Sequence, residues 1–167
     1  MIHLNFYCGY KERIMNYGEG ICKLCGQVEQ GSHHIIFICE ILKSCINRFM
    51  HILLQLCDIE IGNDELVFGM VPLPSEELDI KCKLRNLVTF TIRHCVFRSR
   101  HIEFLNPNSA TRAIMNKIKY KLKEILTDKW LHYKYTRSET EFVNIYLIEE
   151  ILGKIENQQL VLSFAGL

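Results

Sequence analysis

Three cysteines and one histidine near the start of the chain have the types and spacing of a zinc site. Cys22 and Cys25 form a C-x2-C pair, and His34 and Cys39 follow in the spacing H-x4-C. Thiolate and imidazole are ligands that Zn²⁺ prefers, and four of them complete a tetrahedral shell with no open position for a substrate. We therefore predict one structural zinc ion held by Cys22, Cys25, His34 and Cys39, with Gly26 supplying a positive φ after the first pair.

The spacing of the second ligand pair constrains the backbone between its members. On a regular helix, residues five apart point about 140° away from each other and lie about 7.5 Å apart along the axis. His34 and Cys39 can therefore reach one ion only if the helix distorts or breaks near Cys39. We predict a helix boundary or kink around residues 38–41.

The other histidine and cysteines in and after this stretch have alternative roles. His33 competes with His34 as the ligand; it would give H-x5-C, and if it is not a ligand it orients the shell or lies exposed. His34 has the better spacing, but the sequence leaves this choice open. Cys45, Cys57 and Cys95 occupy apolar positions of helical patterns, so we expect them to be buried core thiols.

Neither a secretory signal nor a membrane span is expected. The N-terminus has no basic segment followed by an apolar run. Residues 34–56 are apolar, but they include Glu40, Lys43 and Arg48, each of which would cost about 2.5–3.5 kcal/mol at the bilayer centre. We expect an intracellular protein, cytoplasmic or nuclear, whose eight cysteines are reduced or metal-bound.

The net charge of +1 conceals three blocks of alternating sign. Residues 1–80 carry 5 Lys/Arg against 11 Asp/Glu, residues 81–137 carry 14 against 3, and residues 138–167 carry 1 against 5. The middle block has a net charge of +11 with few acidic partners, which is typical of a surface for nucleic acid. The side chains predicted to contact nucleic acid are Arg93, Arg98, Arg100, Lys117, Lys119, Lys121 and Lys123.

The basic block also has other interpretations. Amphipathic helices ordinarily carry Lys and Arg on their solvent faces. Of the interleaved aromatic residues, Tyr120, His132 and Tyr135 could stack on bases, whereas Trp130 and Tyr133 fit the core better. The competing hypothesis for the whole chain is a zinc-stapled helical protein-interaction or scaffold module, in which the basic face meets an acidic partner.

Hydrophobic periodicity predicts a mainly α-helical protein with long helices. Ser109 is the predicted N-cap of the third long helix. The predicted segments are helices over residues 1–17, 35–57, 83–104, 109–135 and 139–152, and short extended segments near 65–69 and 160–164.

The least regular part of the sequence predicts the domain organisation. A Gly-Asn-Asp turn signal at residues 62–64 and the prolines at 72 and 74 disfavour a helix there. We predict a linker or hinge over residues 58–80 between a zinc-binding helical region, 1–57, and a basic helical region, 81–167. The two regions could also pack as one domain.

Taken together, these residues resemble the reverse-transcriptase zinc-binding domain in the C-terminal region of LINE-type (non-LTR) retrotransposon polyproteins. The family pattern is C-x2-C-G, a polar stretch, Glu-His, four apolar-rich residues and Cys, followed by a helix; residues 22–26 and 34–39 fit it. Residues 10–18, 67–69 and 86–100 are also similar to the surrounding family sequence. Two positions depart from the pattern: His33 stands where Glu is usual, and Glu40 where Pro is common.

The resemblance implies nucleic-acid binding, mainly of RNA, during target-primed reverse transcription. In that family the region is an accessory to polymerase and endonuclease domains, and this chain contains neither. The P-loop and the Gly-x-Ser-x-Gly elbow are also missing. We therefore expect no enzymatic activity and one cofactor, a structural Zn²⁺.

Overall fold

The computed structural model describes residues 20–28, 34, 39–57, 76–99, 106–150 and 152–164. Within these ranges it describes the backbone but not the side chains of residues 50, 52–57, 76–81, 107 and 149. The predicted helix at 1–17 and the extended segment near 65–69 lie outside these ranges. The described part is mainly α-helical, as predicted. Its elements are α1 (Glu40–Cys57), α2 (Glu76–Ser99), α3 (Pro107–Tyr135), α4 (Glu139–Tyr146), a 3-10 turn (Ile148–Glu150), β1 (Gly153–Glu156) and β2 (Gln159–Leu162).

Helix α1 begins at Glu40, directly after the last predicted ligand, so the predicted boundary is confirmed. The Cys39 N–H donates to the carbonyl of His34 at 2.8 Å, which is a bond across five residues, as in a π turn. The Lys43 N–H then donates to the carbonyl of Cys39 at 2.8 Å and starts the regular helix. This wide turn places Cys39 at a different angle to His34 than a continuous helix would.

Helix α2 packs against α1, α3 and α4. Leu84, Val88, Ile92 and Val96 are buried along it. It begins at Glu76, seven residues earlier than predicted, and runs to Ser99, while residues 100–104 of the predicted helix lie outside the described ranges. Residues 76–80 are thus helical, which the prolines at 72 and 74 allow because both precede this point in the chain.

Helix α3 is capped by Asn106, and the predicted cap, Ser109, is wrong. The Ser109 N–H donates to Asn106 Oδ1 at 2.8 Å, and the Asn106 N–H donates to Ser109 Oγ at 3.4 Å. Pro107 tolerates the first helical position because its missing N–H would have no partner there. Ser109 therefore serves as the third helical residue of a capping box, which places the start of α3 three residues earlier than predicted.

One face of α3 carries a stripe of buried apolar residues. Ile114, Ile118, Leu122, Leu126 and Trp130 are all buried at a spacing of four residues. They belong to one continuous core cluster with residues of α1, α2, α4 and the cysteine loop before α1. The zinc-motif region and the basic helices therefore pack together in the described part, while the proposed division into regions stays a prediction.

The chain after α4 folds differently from the prediction. The helix expected over 139–152 ends at Tyr146, and a β-hairpin follows it. The predicted extended segment corresponds to β2, whereas its partner β1 was not predicted. Asn157 and Gln158 have φ values of 50° and 62°, the paired positive φ that a tight two-residue hairpin turn requires.

None of the helices in the described ranges combines the length and the apolar character needed to cross a membrane.

Candidate metal centre

A short loop presents the first two cysteines on one side of the backbone. An antiparallel bridge between Ile21 and Val28 closes the loop, and the Gly26 N–H donates to the carbonyl of Cys22 at 2.8 Å. Gly26 has a φ of 73°, which confirms the predicted positive value. Because such a φ is costly for residues with a Cβ, glycine allows the chain to turn sharply just after Cys25.

The four predicted ligands meet in space. Their Cys Sγ and His ring nitrogen atoms all lie within 4.8 Å of one another. Cys22 Sγ lies 4.0 Å from Cys39 Sγ, and Cys25 Sγ lies 3.3 Å from His34 Nε2. Ideal tetrahedral zinc bonds would place two sulfurs about 3.8 Å apart and a sulfur and a nitrogen about 3.6 Å apart. The cluster therefore has the size and the donor types to hold one metal ion.

The cluster is part of the core and not an appendage on the surface. Cys22, His34 and Cys39 are 2%, 1% and 0% exposed, and Cys25 is half-buried. Cys22 and Cys39 also belong to the continuous hydrophobic cluster that includes Leu24 and the inner faces of the helices. A metal bound here would link the cysteine loop to the start of α1.

The thiols of the cluster differ in their affinity for protons. A hydrogen bond with Cys39 lowers the pKa of Cys22 to about 4, although burial opposes this shift. The same hydrogen bond, together with burial, raises the pKa of Cys39. Burial also raises the pKa of Cys25. Without a metal, the cluster therefore favours one thiolate and two protonated thiols, and a divalent cation would favour ionisation of all three.

Two other cysteines of the described helices, Cys45 and Cys95, do not join the cluster. Cys45 and Cys95 are buried, and their S–H groups point to the carbonyls of Thr111 and Lys117, each at 3.7 Å. The prediction that these two are core thiols is confirmed. His33 and the side chain of Cys57 lie outside the described residues.

The predicted nucleic-acid contacts are distributed over several surfaces. Arg98 and Lys123 are exposed, and Arg93 is half-buried with its guanidinium 5.6 Å from the ring centre of Phe90. Arg100 lies outside the described residues. The other three, Lys117, Lys119 and Lys121, are half-buried.

The lysines of α3 alternate between two sides of the helix. Lys117 donates to Ser99 Oγ at 3.4 Å on the side of α2, and Lys121 forms an ion pair with Glu124 at 2.7 Å. Lys119 instead lines a cleft on the side of α1. The four lysines of α3 that were predicted to contact nucleic acid therefore do not form a single basic face, because residues two apart on a helix point in different directions.

Two cationic residues in that cleft were not predicted. Arg48 of α1 and Arg112 of α3 line it together with Lys119. Arg112 could have been found from its spacing of seven residues from Lys119, which places both on one helical face. Arg48 had no comparable signal, since it lies in the acidic block and reaches the cleft only through the packing of α1 on α3.

Comparison with known proteins gives no relative from which a role could be transferred. No protein-family model, curated protein or solved structure matches the chain.

Proposed function

We propose that this chain is a non-catalytic nucleic-acid-binding module, stabilised by one structural zinc ion, with RNA as its ligand. The observation that carries the proposal is the net charge of +11 on residues 81–137, where 14 Lys/Arg face 3 Asp/Glu. Helices α2 and α3 occupy most of this block. Such an excess is self-repulsive in the free protein and would be neutralised by phosphates.

Several charges of the block are available at the surface. Arg98, Arg112, Lys123, Lys134 and Arg137 are exposed. Four of them lie on α2 and α3, and Arg137 lies in the turn directly after α3, so a ligand would meet an ordered array of cations. This arrangement supports contacts to phosphates, which set affinity without reading the base sequence.

Exposed rings accompany these charges. Tyr120 and Tyr135 are 72% and 89% exposed, whereas Trp130 is 7% exposed and packs against Phe142 at a centroid distance of 5.3 Å. Tyr133 is half-buried beside the same core. The exposed tyrosines are the better candidates for stacking on unpaired bases, which is the usual mode of single-stranded RNA recognition.

The cysteine–histidine cluster supports a structural and not a catalytic role for the metal. Three thiolates and one imidazole suit Zn²⁺ among the common divalent ions, and they fill its tetrahedral shell. No position is then left for a substrate or a water nucleophile. Cys22 and His34, which would contribute to this shell, are buried, so the proposed ion would act through stability.

The resemblance of residues 22–26 and 34–39 to the zinc-binding domain of non-LTR retrotransposon reverse transcriptases supports the same assignment. We propose that the chain derives from such a protein and binds RNA without polymerase or endonuclease activity of its own.

Salt-titrated binding of a labelled single-stranded RNA tests the proposal. We expect binding at low salt, with the logarithm of affinity falling steeply as the logarithm of salt rises. The charge reversals Arg98→Glu and Lys123→Glu should each lower the slope, since both side chains are exposed. Absence of binding at low salt by folded, zinc-loaded protein would refute the proposal.

A protein-interaction module is the second candidate, and one observation favours it. Leu131 and Tyr135 lie one turn apart on α3 and are 59% and 89% exposed, so together they form a small exposed apolar patch. This second function is the correct one if the unaltered chain does not bind RNA and if Leu131→Ser and Tyr135→Ser change its self-association or its binding to a protein partner.

A further inference from the structure

We propose that the cleft between α1 and the first turns of α3 binds neighbouring backbone phosphates of the nucleic-acid strand, one at each of its three cations. This inference rests on the proposed function for the class of ligand, and it adds the place where that ligand is held. The cleft has a volume of 370 Å³. Arg48 lines it from α1, and Arg112 and Lys119 line it from α3.

The cleft has an excess of positive charge. None of the described residues that line it carries a carboxylate. In the part of the chain with described side chains, neither Arg48 nor Arg112 forms an ion pair. Lys121, by contrast, is already paired with Glu124 at 2.7 Å. A bound phosphate would relieve the mutual repulsion of Arg48 and Arg112.

The course of α3 extends this site into a strip. At about 100° per residue, Arg112, Asn116, Lys119 and Lys123 lie within about 60° of one another on the helix surface. They span about 16 Å along the axis. The acidic residues of α3, Glu124 and Asp128, lie about 140° and about 180° away from Lys119 by the same geometry. A strand seated in the cleft could therefore continue along α3 past Lys123 without meeting a carboxylate on that strip.

The groups that line the cleft suit a phosphate diester. A guanidinium can donate two parallel hydrogen bonds to phosphate oxygens, and Arg48 and Arg112 offer two such groups from different helices. The side chains of Asn108 and Asn116 add neutral donors. These contacts would be independent of base sequence.

The test compares two triple variants that remove the same charge. The cleft variant carries Arg48→Gln, Arg112→Gln and Lys119→Gln. The control variant carries Lys83→Gln, Lys121→Gln and Lys154→Gln, which lie on α2, on another side of α3 and on β1. All six side chains are exposed or half-buried, so circular dichroism should confirm that both variants stay folded.

Binding of a short single-stranded RNA of mixed sequence is measured for each protein over a range of salt concentrations. Each lost phosphate contact reduces the magnitude of the slope of log affinity against log salt by about 0.7. The cleft variant should therefore lose about 2 from this magnitude, and the control variant less than half of that. If the unaltered chain binds RNA but the two variants lose the same amount of slope, the cleft assignment is overturned and the proposed function still stands. Failure of the unaltered chain to bind RNA would overturn the proposed function, and this site with it.

Discussion

At the scale of single residues, burial does not distinguish a metal ligand from a core thiol in this molecule. Cys39 and Cys45 are both 0% exposed and lie six positions apart in the chain. Their partners differ: Cys39 Sγ lies 4.0 Å from a second thiol, whereas the Cys45 S–H points to the backbone carbonyl of Thr111. Convergence of several soft donors on one point is the property that indicates a metal site.

Replacement of one predicted ligand should remove the metal. We expect one zinc per unaltered chain by elemental analysis, and a large loss in Cys25→Ser because three ligands remain for a four-ligand ion. Cys45→Ala is the matched control: it removes a buried thiol outside the cluster, so the zinc content should stay at one per chain. Equal zinc content in both variants, or none in the unaltered chain, would contradict the ligand set.

The proton affinities of the thiols predict that zinc binding releases protons. Near neutral pH, Cys22 is already a thiolate because its pKa is lowered to about 4, whereas the raised pKa values of Cys25 and Cys39 keep those two protonated. Zinc requires all three as thiolates, so binding should release about two protons and weaken as the pH falls. Titration calorimetry in buffers of different ionisation enthalpy measures this number. Zinc binding with no proton release would contradict the assigned protonation states.

At the scale of secondary structure, several element boundaries depend on only one or two residues. The spacing of His34 and Cys39 required a break, and α1 starts at Glu40. The predicted start of α3 was three residues late because Asn106 and Ser109 are both residue types that favour the N-cap position. In the structure Asn106 is the N-cap and Ser109 is the third helical residue of the capping box. The positive φ values at Asn157 and Gln158 were not predictable in the same way, since this pair is not a typical Asn-Gly turn.

The cap of α3 offers a clean test of this account. Asn106→Ala should destabilise the protein by about 1 kcal/mol, because its Oδ1 accepts from the Ser109 N–H at 2.8 Å. Asn108→Ala, an exposed position two residues later, should change stability by less than about 0.5 kcal/mol. The measurement is the free energy of unfolding in urea with zinc present. A larger loss in Asn108→Ala than in Asn106→Ala would show that the cap is misassigned.

At the scale of the whole molecule, the cysteine loop, the helices and the hairpin share one core. Leu24 of the loop, Phe49 of α1 and Leu152 before β1 belong to the same buried cluster. The periodicity of the sequence predicted the helical stripes of this core. It did not predict how the helices meet, and so the cleft of Arg48, Arg112 and Lys119 could be recognised only in three dimensions.

Removal of the metal should therefore destabilise more than the loop. Structural zinc sites of this type contribute about 10–16 kcal/mol of apparent binding free energy, which is comparable to the whole stability of most domains. We expect a chelator to lower the helical signal in circular dichroism and the midpoint of thermal unfolding, and added zinc to restore both. An unchanged spectrum and midpoint after verified metal removal would show that the metal is not structural.

The salt dependence of RNA binding tests the central claim, nucleic-acid binding by the basic helices, most directly. If Arg48, Arg112, Lys119 and Lys123 each neutralise one phosphate, the plot of log affinity against log salt should have a slope of about −3 for single-stranded RNA. A slope near this value or steeper is the predicted result. No binding at low salt, or an affinity that does not change with salt, would contradict the account.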